Sequence, residues 1–184
     1  FYKIFYESDG MEEEEILDKL KTLLVQKQRW IGTHHPDSVI RRLAFKTSGV
    51  DVGEDVFISI GMVVLDAYEN LVKIGDRSAF GNNVSLIAAS DPNNSQLKDI
   101  PFVLQRYIKN EPITICSDCW LGSQVTVLPN VTIGSHSIIG AGSVVVKDVP
   151  AYVYAIVGGV PAKVIKHRYT PELVELLVNS IRWD

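Results

Sequence analysis

From Ile115 a branched aliphatic residue returns every six positions, at Leu121, Val127, Ile133, Ile139 and Val145. Four places behind each stands a small or β-branched side chain: Cys119, Val125, Val131, Ser137, Ser143 and Val149. The same period runs upstream through Ile74, Phe80 and Leu86, followed by Ser78, Val84 and Ser90, and an earlier block holds Val52, Val56, Ile58 and Met62. A period of six is neither the 3.6 of a helix nor the 2 of a simple strand. It fits one short strand plus one turn, with the aliphatic pointing inward and the small residue filling the inside of the same corner. Gly122, Gly134 and Gly140 follow their aliphatics directly and are expected to supply the turn's backbone angles. Three units close a triangular coil of about 18 residues, and coils stack about 4.8 Å apart as parallel sheet. The competing reading of these residues is a β-sandwich of short strands.

The flanks break the period. MEEEEILDKLKTLLVQKQRW reads as one helix, with Ile16, Leu20, Leu23 and Leu24 on one face and the glutamates from Glu12 at the start, where the helix dipole favours them. A second short helix is expected over Asp37–Lys46. At the far end Thr170 suits an N-cap and Pro171 the first helical position. There Leu173, Leu176, Leu177 and Ile181 form an apolar stripe that packs on the repeat core or on a neighbouring subunit. Between Ser90 and Pro112 the rhythm stops, and Ile115 resumes it. Residues 91–111 are therefore read as a protruding loop, its Phe102, Val103, Leu104, Tyr107 and Ile108 packing on something. The organisation expected is a helical segment over 1–48, a repeat domain over 49–168 and a terminal helix over 169–184.

Apolar residues are 46% of the chain and charged residues 22%, as in a globular domain. Lys plus Arg number 18 against 22 Asp plus Glu, a net charge of -4. That argues against a nucleic-acid partner or a polybasic membrane binder. No apolar run approaches the roughly 18 residues of a membrane-spanning helix, so no membrane insertion is expected. The sequence as it starts at Phe1 shows no basic-then-apolar leader, and its only cysteines are Cys116 and Cys119, so a reducing cytoplasm is the expected location. The two cysteines occupy places of the repeat that face different ways, and His34, His35, His136 and His167 lack the spacing of a zinc site, so no metal is expected.

WLGSQVTVLPNVTIGSHSIIGAGSVVVKDVP, followed by GGVPAKVIKHR, resembles the hexapeptide-repeat acyltransferases, and within them the galactoside, maltose and capsular-sugar O-acetyltransferases. The likeness covers about Val50 to Arg168 and extends to the ending Trp183-Asp184. It implies a mainly β protein, a left-handed parallel β-helix solenoid, whose hand the spacing alone does not give. It also implies a homotrimer with active sites between subunits. The activity implied is acetyl transfer from acetyl-CoA, as co-substrate, to a hydroxyl of a sugar or polysaccharide precursor. Two alternatives stand beside it: a silent CoA-binding or structural trimer, and an N-acyltransferase acting on an amino sugar or antibiotic.

Carried over position by position, the resemblance implies that the cofactor touches Ser123, Ala141, Val146, Lys147, Lys163 and Lys166. Small Ser123 and Ala141 leave room for the pantetheine arm. Lys163 and Lys166, with Arg168 nearby, hold the 3′-phosphate as point charges; otherwise they are solvent-face lysines. The family's catalytic base is a His in a His-Pro dipeptide where the repeat breaks into the loop. Here the matching pair is Asp91-Pro92, so the imidazole is replaced by a carboxylate, a weaker base with a reference pKa of about 3.9 against about 6.5. Asp91 either serves as base or orienting group, or only caps the loop turn. Positions that contact galactoside hydroxyls appear as Phe57, Ser59 and Ala67, with Asp66 adjacent, which does not look like a galactoside site. Trp120 either lines the groove beside the thioester or packs a corner. His34 and His35 are expected at the surface, in the segment that covers the acceptor site.

Overall fold

The computed structural model describes residues 2–6, 10–91, 94–150, 155–167 and 169–180. Its hexapeptide units become strands of two to four residues in three parallel stacks. The first sheet stacks β1 (Asp51–Val52), β4 (Val72–Ile74), β9 (Ile113–Ile115) and β12 (Thr132–Ile133). The second stacks β2 (Phe57–Ile58), β5 (Ala79–Phe80), β10 (Trp120–Leu121), β13 (Ile138–Ile139) and β15 (Ala155–Gly158). The third stacks β3 (Val63–Leu65), β6 (Ser85–Ile87), β11 (Thr126–Val127) and β14 (Val144–Val145). The chain visits them in rotation, one strand per sheet per coil. Register keeps like over like: Ile58 pairs with Phe80, Phe80 with Leu121, Leu121 with Ile139, and Ile139 with Val157.

Each inward aliphatic of the period is buried, and so are the corner residues Val56, Met62, Ser78, Val84, Cys119, Val125, Val131, Ser137, Ser143 and Val149. The inward serines do not leave hydroxyls stranded: Ser78 donates to the Cys116 carbonyl at 3.0 Å and Ser137 to that of Gly134 at 2.6 Å. Ser90, expected to keep the same phase, is exposed. The last inward residue of that coil is Ala88, after which β7 (Ala89–Ser90) peels away to pair antiparallel with β8 (Lys109–Asn110).

The glycines after the aliphatics do a different job from the one expected. Gly122, Gly134 and Gly140 are absent from the left-handed region, which falls two residues later, at Arg77, Asn83, Gln124, His136 and Gly142, with φ between 54° and 70°. At Gly122, as at Gly75, what demands glycine is the neighbouring coil. A Cβ on Gly122 would lie 2.6 Å from the Ala141 backbone nitrogen, and one on Gly75 would lie 2.6 Å from that of Ser117. The stacking distance of parallel strands, rather than the turn angle, sets the requirement there.

At the N-terminus the single long helix expected is broken. α1 (Tyr2–Tyr6) is followed by α2 (Glu13–Lys21), α3 (Val25–His34) and α4 (Ser38–Thr47). Gln28, from the next helix, donates to the carbonyls of Leu20 at 2.8 Å and Leu23 at 3.0 Å, adding to the bond that Leu20 accepts from Leu23 N at 2.9 Å. Ile16 and Leu20 are buried as expected, but Leu24 lies at the break, 68% exposed. Asp37 caps α4 through Val39 and Ile40. These helices share a core of Ile4, Ile16, Leu20, Ile31, Ile40 and Leu43, while Phe45 joins the solenoid core. Gly32 permits this joint, since a Cβ there would meet the Phe45 ring at 2.9 Å.

Past β14 the chain forms β15, then β16 (Lys163–His167) antiparallel to it, then α6 (Pro171–Ser180), with Thr170 Oγ accepting from Leu173 N. Leu173 and Leu176 are exposed, so these two stripe residues do not bury on the chain's own solenoid. Ile181, Arg168 and the closing Trp183-Asp184 lie outside the described residues. Among the described residues no helix is long and apolar enough to cross a membrane.

Candidate active site

The third-to-first corner of the solenoid is its irregular one. In the first coil, Val64 to Ile74 spans ten positions where the repeat needs six, and the surplus forms a turn with Ala67, Tyr68 and Asn70 all at positive φ. Tyr68 is bulky enough to avoid that region without support. The support is Asp66, whose Oδ1 accepts from Tyr68 N at 3.1 Å while its carbonyl accepts from Glu69 N at 2.9 Å. In the second coil the same corner opens into the 91–108 excursion. Together the two turns bound an open cleft of about 440 Å³, lined by Asp66, Tyr68, Ser90, Asp91 and Asn110 among others. A second hollow of about 380 Å³ adjoins it, sharing Ser90 and Asp91 and walled by Leu97, Val103, Tyr107 and Ile108. Asp91 thus stands exposed on the rim between the two. Pro92 lies outside the described residues.

Asp66 spends its carboxylate on the protein. It is 1% exposed, and its Oδ2 accepts from the Arg29 guanidinium of α3 at 2.9 Å. Arg29, 8% exposed, also donates to the carbonyl of Ser48 at 3.1 Å and stacks 5.7 Å from the Tyr68 ring centroid. The carboxylate expected to meet the acceptor therefore ties the helical segment to the cleft floor. Arg29, Tyr68 and Asn110 went unsuspected from the sequence. The signal for Tyr68 was the four surplus residues after Val64; Arg29, one of two Lys or Arg residues on α3, carried none.

The other residues expected at the site fall elsewhere on the coil. Phe57 and Trp120 lie in one outward row of the second sheet, 50% and 57% exposed, joined through Ala79 of the strand between them. Ser59 follows Phe57 on that side, and neither it nor the two aromatics lines the cleft. Ser123 and Ala141 come together on the second-to-third corner, where Gly142 N donates to the Ser123 carbonyl at 2.9 Å. Val146 and Lys147 are exposed beyond β14, on the corner that holds the cleft two coils below. Lys163 and Lys166 are exposed on β16, opposite Gly158 and Ile156. One chain thus presents these residues on three separate edges.

Among the described residues no histidine lines the cleft. His35, expected at the surface, is 2% exposed, with Nε2 at 3.1 Å from the Ile4 carbonyl and Nδ1 accepting from Asp37 N at 3.0 Å. His34 is exposed and stacks on Trp30 at 4.7 Å. His136 sits on the first-to-second corner, 3.9 Å from Asp118, and burial pushes its pKa down against the pull of that carboxylate. Cys119 is buried in the core, its thiol pushed up to about 12 by desolvation, while Cys116 faces the other way and is half-buried. Among the described residues no cluster of metal-ligating side chains occurs.

Residues 112–147 match the family described as bacterial transferase hexapeptide, six repeats. The chain is 36% identical over 119 residues to the galactoside O-acetyltransferase of Escherichia coli, a match covering 65% of this chain and 54% of that one. It is 36% identical over 162 residues to a putative acetyltransferase of Staphylococcus aureus, covering 86% and 71%. It superposes with a TM-score of 0.62, at 22% identity, on a hexapeptide-repeat acetyltransferase from Vibrio cholerae complexed with acetyl coenzyme A, covering 89% of this chain and 92% of that one. The chain spans little more than half the length of the first curated relatives it matches, 52% to 58%.

Proposed function

Since the chain belongs to the hexapeptide-repeat transferases and folds as their left-handed parallel β-helix, we propose that it is a CoA-dependent O-acetyltransferase, moving an acetyl group from acetyl-CoA to a hydroxyl of a sugar or polysaccharide precursor. The observation that carries this reading is the cleft at the broken corner, which puts the Asp91 carboxylate where the register opens and sets hydroxyl and amide groups of Ser90 and Asn110 beside it. Acetyl-CoA supplies an acyl group activated as a thioester. The Asp91 carboxylate takes the proton from the acceptor hydroxyl as its oxygen attacks the thioester carbonyl, and that proton leaves with the released thiol. Positioning contributes alongside the base. Ser123 and Ala141 fit an extended pantetheine arm because their own side chains are small, and Lys163 and Lys166 supply cations for a 3′-phosphate.

The separation of edges supports a homotrimer. Phe57 and Trp120 face outward on the second sheet, away from the cleft, so a site that uses both is complete only between chains. The silent-scaffold reading draws on one observation, the lack of any imidazole in the cleft.

Asp91→Asn decides between them. It is nearly isosteric and removes the basicity, so thiol release with an active acceptor should lose about 10²-fold or more in kcat, with KM for acetyl-CoA little changed. A variant that turns over like the wild type removes Asp91 from the chemistry. Wild-type thiol release no faster than buffer across an acceptor panel favours the scaffold.

A further inference from the structure

The outward face of the second sheet carries an uncharged row. Phe57, Ala79, Trp120, Ile138 and Ile156 stand one above another, a strand apart, because each pairs with the next while their inward neighbours lie in the core. The first and third are aromatic, and the second ends in a methyl group. Parallel strands lie about 4.8 Å apart, so the Cα atoms of Phe57 and Trp120 stand about 9.6 Å apart with only Ala79 between them. Among the described residues no ring contact links the two aromatics. Both are at least half exposed, and Ala79 between them is half-buried. The row therefore has a notch one strand wide, walled by two rings and floored by a methyl group. The exposed side chains of α5 (Pro101–Arg106) belong to the excursion from the third-to-first corner, so the notch is a separate surface.

The place of the notch on the coil says what can reach it. Trp120 comes three residues before Ser123, and Ala79 three before Asn82, whose N donates to Ser123 Oγ at 3.2 Å. The notch thus opens beside the second-to-third corner, at the level of the second and third coils. On the acetyltransferase reading the 3′-phosphate lies at Lys163 and Lys166 on β16, and the pantetheine arm passes Ala141 of the fourth coil before Ser123 of the third. Continued in the same direction, the arm brings its sulfur to the second coil, where the acyl group has Ala79 alongside. Beyond its carbonyl an acyl tail is apolar, and its burial against uncharged walls is favourable.

Resting on the acetyltransferase reading, we propose that the donor range extends beyond acetyl: the notch between Phe57 and Trp120 takes the tail of a short straight acyl group such as butyryl, and Ala79 sets the chain length admitted. The chemistry is that of acetyl transfer. The acceptor oxygen bonds to the thioester carbonyl carbon, the carbon–sulfur bond breaks, and CoA leaves as the thiol with the acceptor's proton. A side chain larger than methyl at position 79 would raise the floor and leave room for acetyl alone.

The test is calorimetric binding of CoA, acetyl-CoA and butyryl-CoA to the full chain, with no acceptor present. Full burial of the two extra methylenes would be worth roughly tenfold, so in a notch open on one side butyryl-CoA should bind at least about threefold tighter than acetyl-CoA. Ala79→Leu fills the notch and should bring the ratio to about one or below. Trp120→Ala removes a wall without adding volume and should reduce the preference as well. Thr114→Leu, the same kind of outward enlargement on the first sheet, should keep it. Equal binding of the two thioesters by the wild type, a preference that survives Ala79→Leu or Trp120→Ala, or one that Thr114→Leu removes equally overturns the proposal. So does Ala79→Leu sedimenting as a smaller species than the wild type, which assigns the notch to a contact between subunits. CoA itself reports separately on the acetyltransferase reading. CoA bound without a butyryl preference defeats the notch alone, whereas no binding of CoA or of either thioester defeats the transferase reading and the notch with it.

Discussion

Two corners of the same solenoid carry an arginine–aspartate pair, and they use it differently. On the first-to-second corner, Arg77 meets Asp118 of the next coil through two bonds of 3.0 Å, with the arginine half exposed. The coils there are already locked by backbone bonds, such as Asp118 N to the Asp76 carbonyl at 2.9 Å and His136 N to the Ser117 carbonyl at 3.1 Å. On the third-to-first corner, Arg29 meets Asp66 out of water, and no repeat register crosses the joint they close. The exposed pair decorates a structure that the period builds. The buried pair attaches a foreign element, the helices, to the coil that floors the cleft. Charge pairing is therefore nearly redundant where the repeat is intact, and where it is interrupted it joins Arg41 Nε on the Ile58 carbonyl at 2.8 Å, Gly61 N on the Thr33 carbonyl at 2.8 Å and the Phe45 packing in holding the helices to the coil.

The sharpest way to break that contrast is Asp66→Ala. It leaves the Arg29 guanidinium buried without its carboxylate and frees the turn that holds Tyr68 at φ 61°. Denaturant unfolding should show a loss of about 3–5 kcal/mol. The double replacement Arg29→Met with Asp66→Leu should recover a large part of it, because two apolar side chains need no partners. A single variant as stable as the wild type would mean that the helices dock without this pair.

A smaller effect is expected on the regular corner. Gly75→Ala sets a Cβ against the Ser117 nitrogen at 2.6 Å and the Cys116 carbonyl carbon at 2.8 Å, both backbone, which cannot rotate away. The coils must part locally, at about 1–3 kcal/mol. An unchanged unfolding midpoint would show that the stack flexes more than its register implies.

The smallest effect concerns pH. His136 has its pKa lowered in the folded chain by burial, against the raising influence of Asp118. The unfolded state then binds the proton more readily, so the contribution of His136 is fully present above the unfolded value of about 6.5 and is lost as pH falls through and below it. His136→Gln should flatten the stability profile over that acid limb and leave it unchanged near pH 8. A limb of equal slope in both proteins assigns the acid sensitivity to other groups.

The comparison also marks how far sequence reading reached. The inward aliphatics and, apart from Ser90, the small corner residues are local facts: each depends on a residue and its neighbours within one turn, and each is as the spacing indicated. The break at 22–24 was missed because the helical periodicity runs across it, and one of the groups that hold it, Gln28 reaching back to Leu20 and Leu23, belongs to the next helix. His35 was misread because nothing near it in sequence announces that the Ile4 carbonyl, far along the chain, closes over it.

The candidate site divides the same way. That the rhythm stops after Leu86, and that an aspartate stands at the break, is legible in the residues themselves. The cleft is not, because its walls come from two coils stacked on each other and its floor is held by an arginine thirty-seven positions from its partner. By itself the sequence determined the repeating unit, since a strand-and-turn of six residues is set by which side chains alternate toward a shared interior. Only the tertiary structure decided what the unit's interruptions enclose, since a cavity is a relation between distant surfaces, and the free energy that holds it open comes from contacts no local pattern encodes.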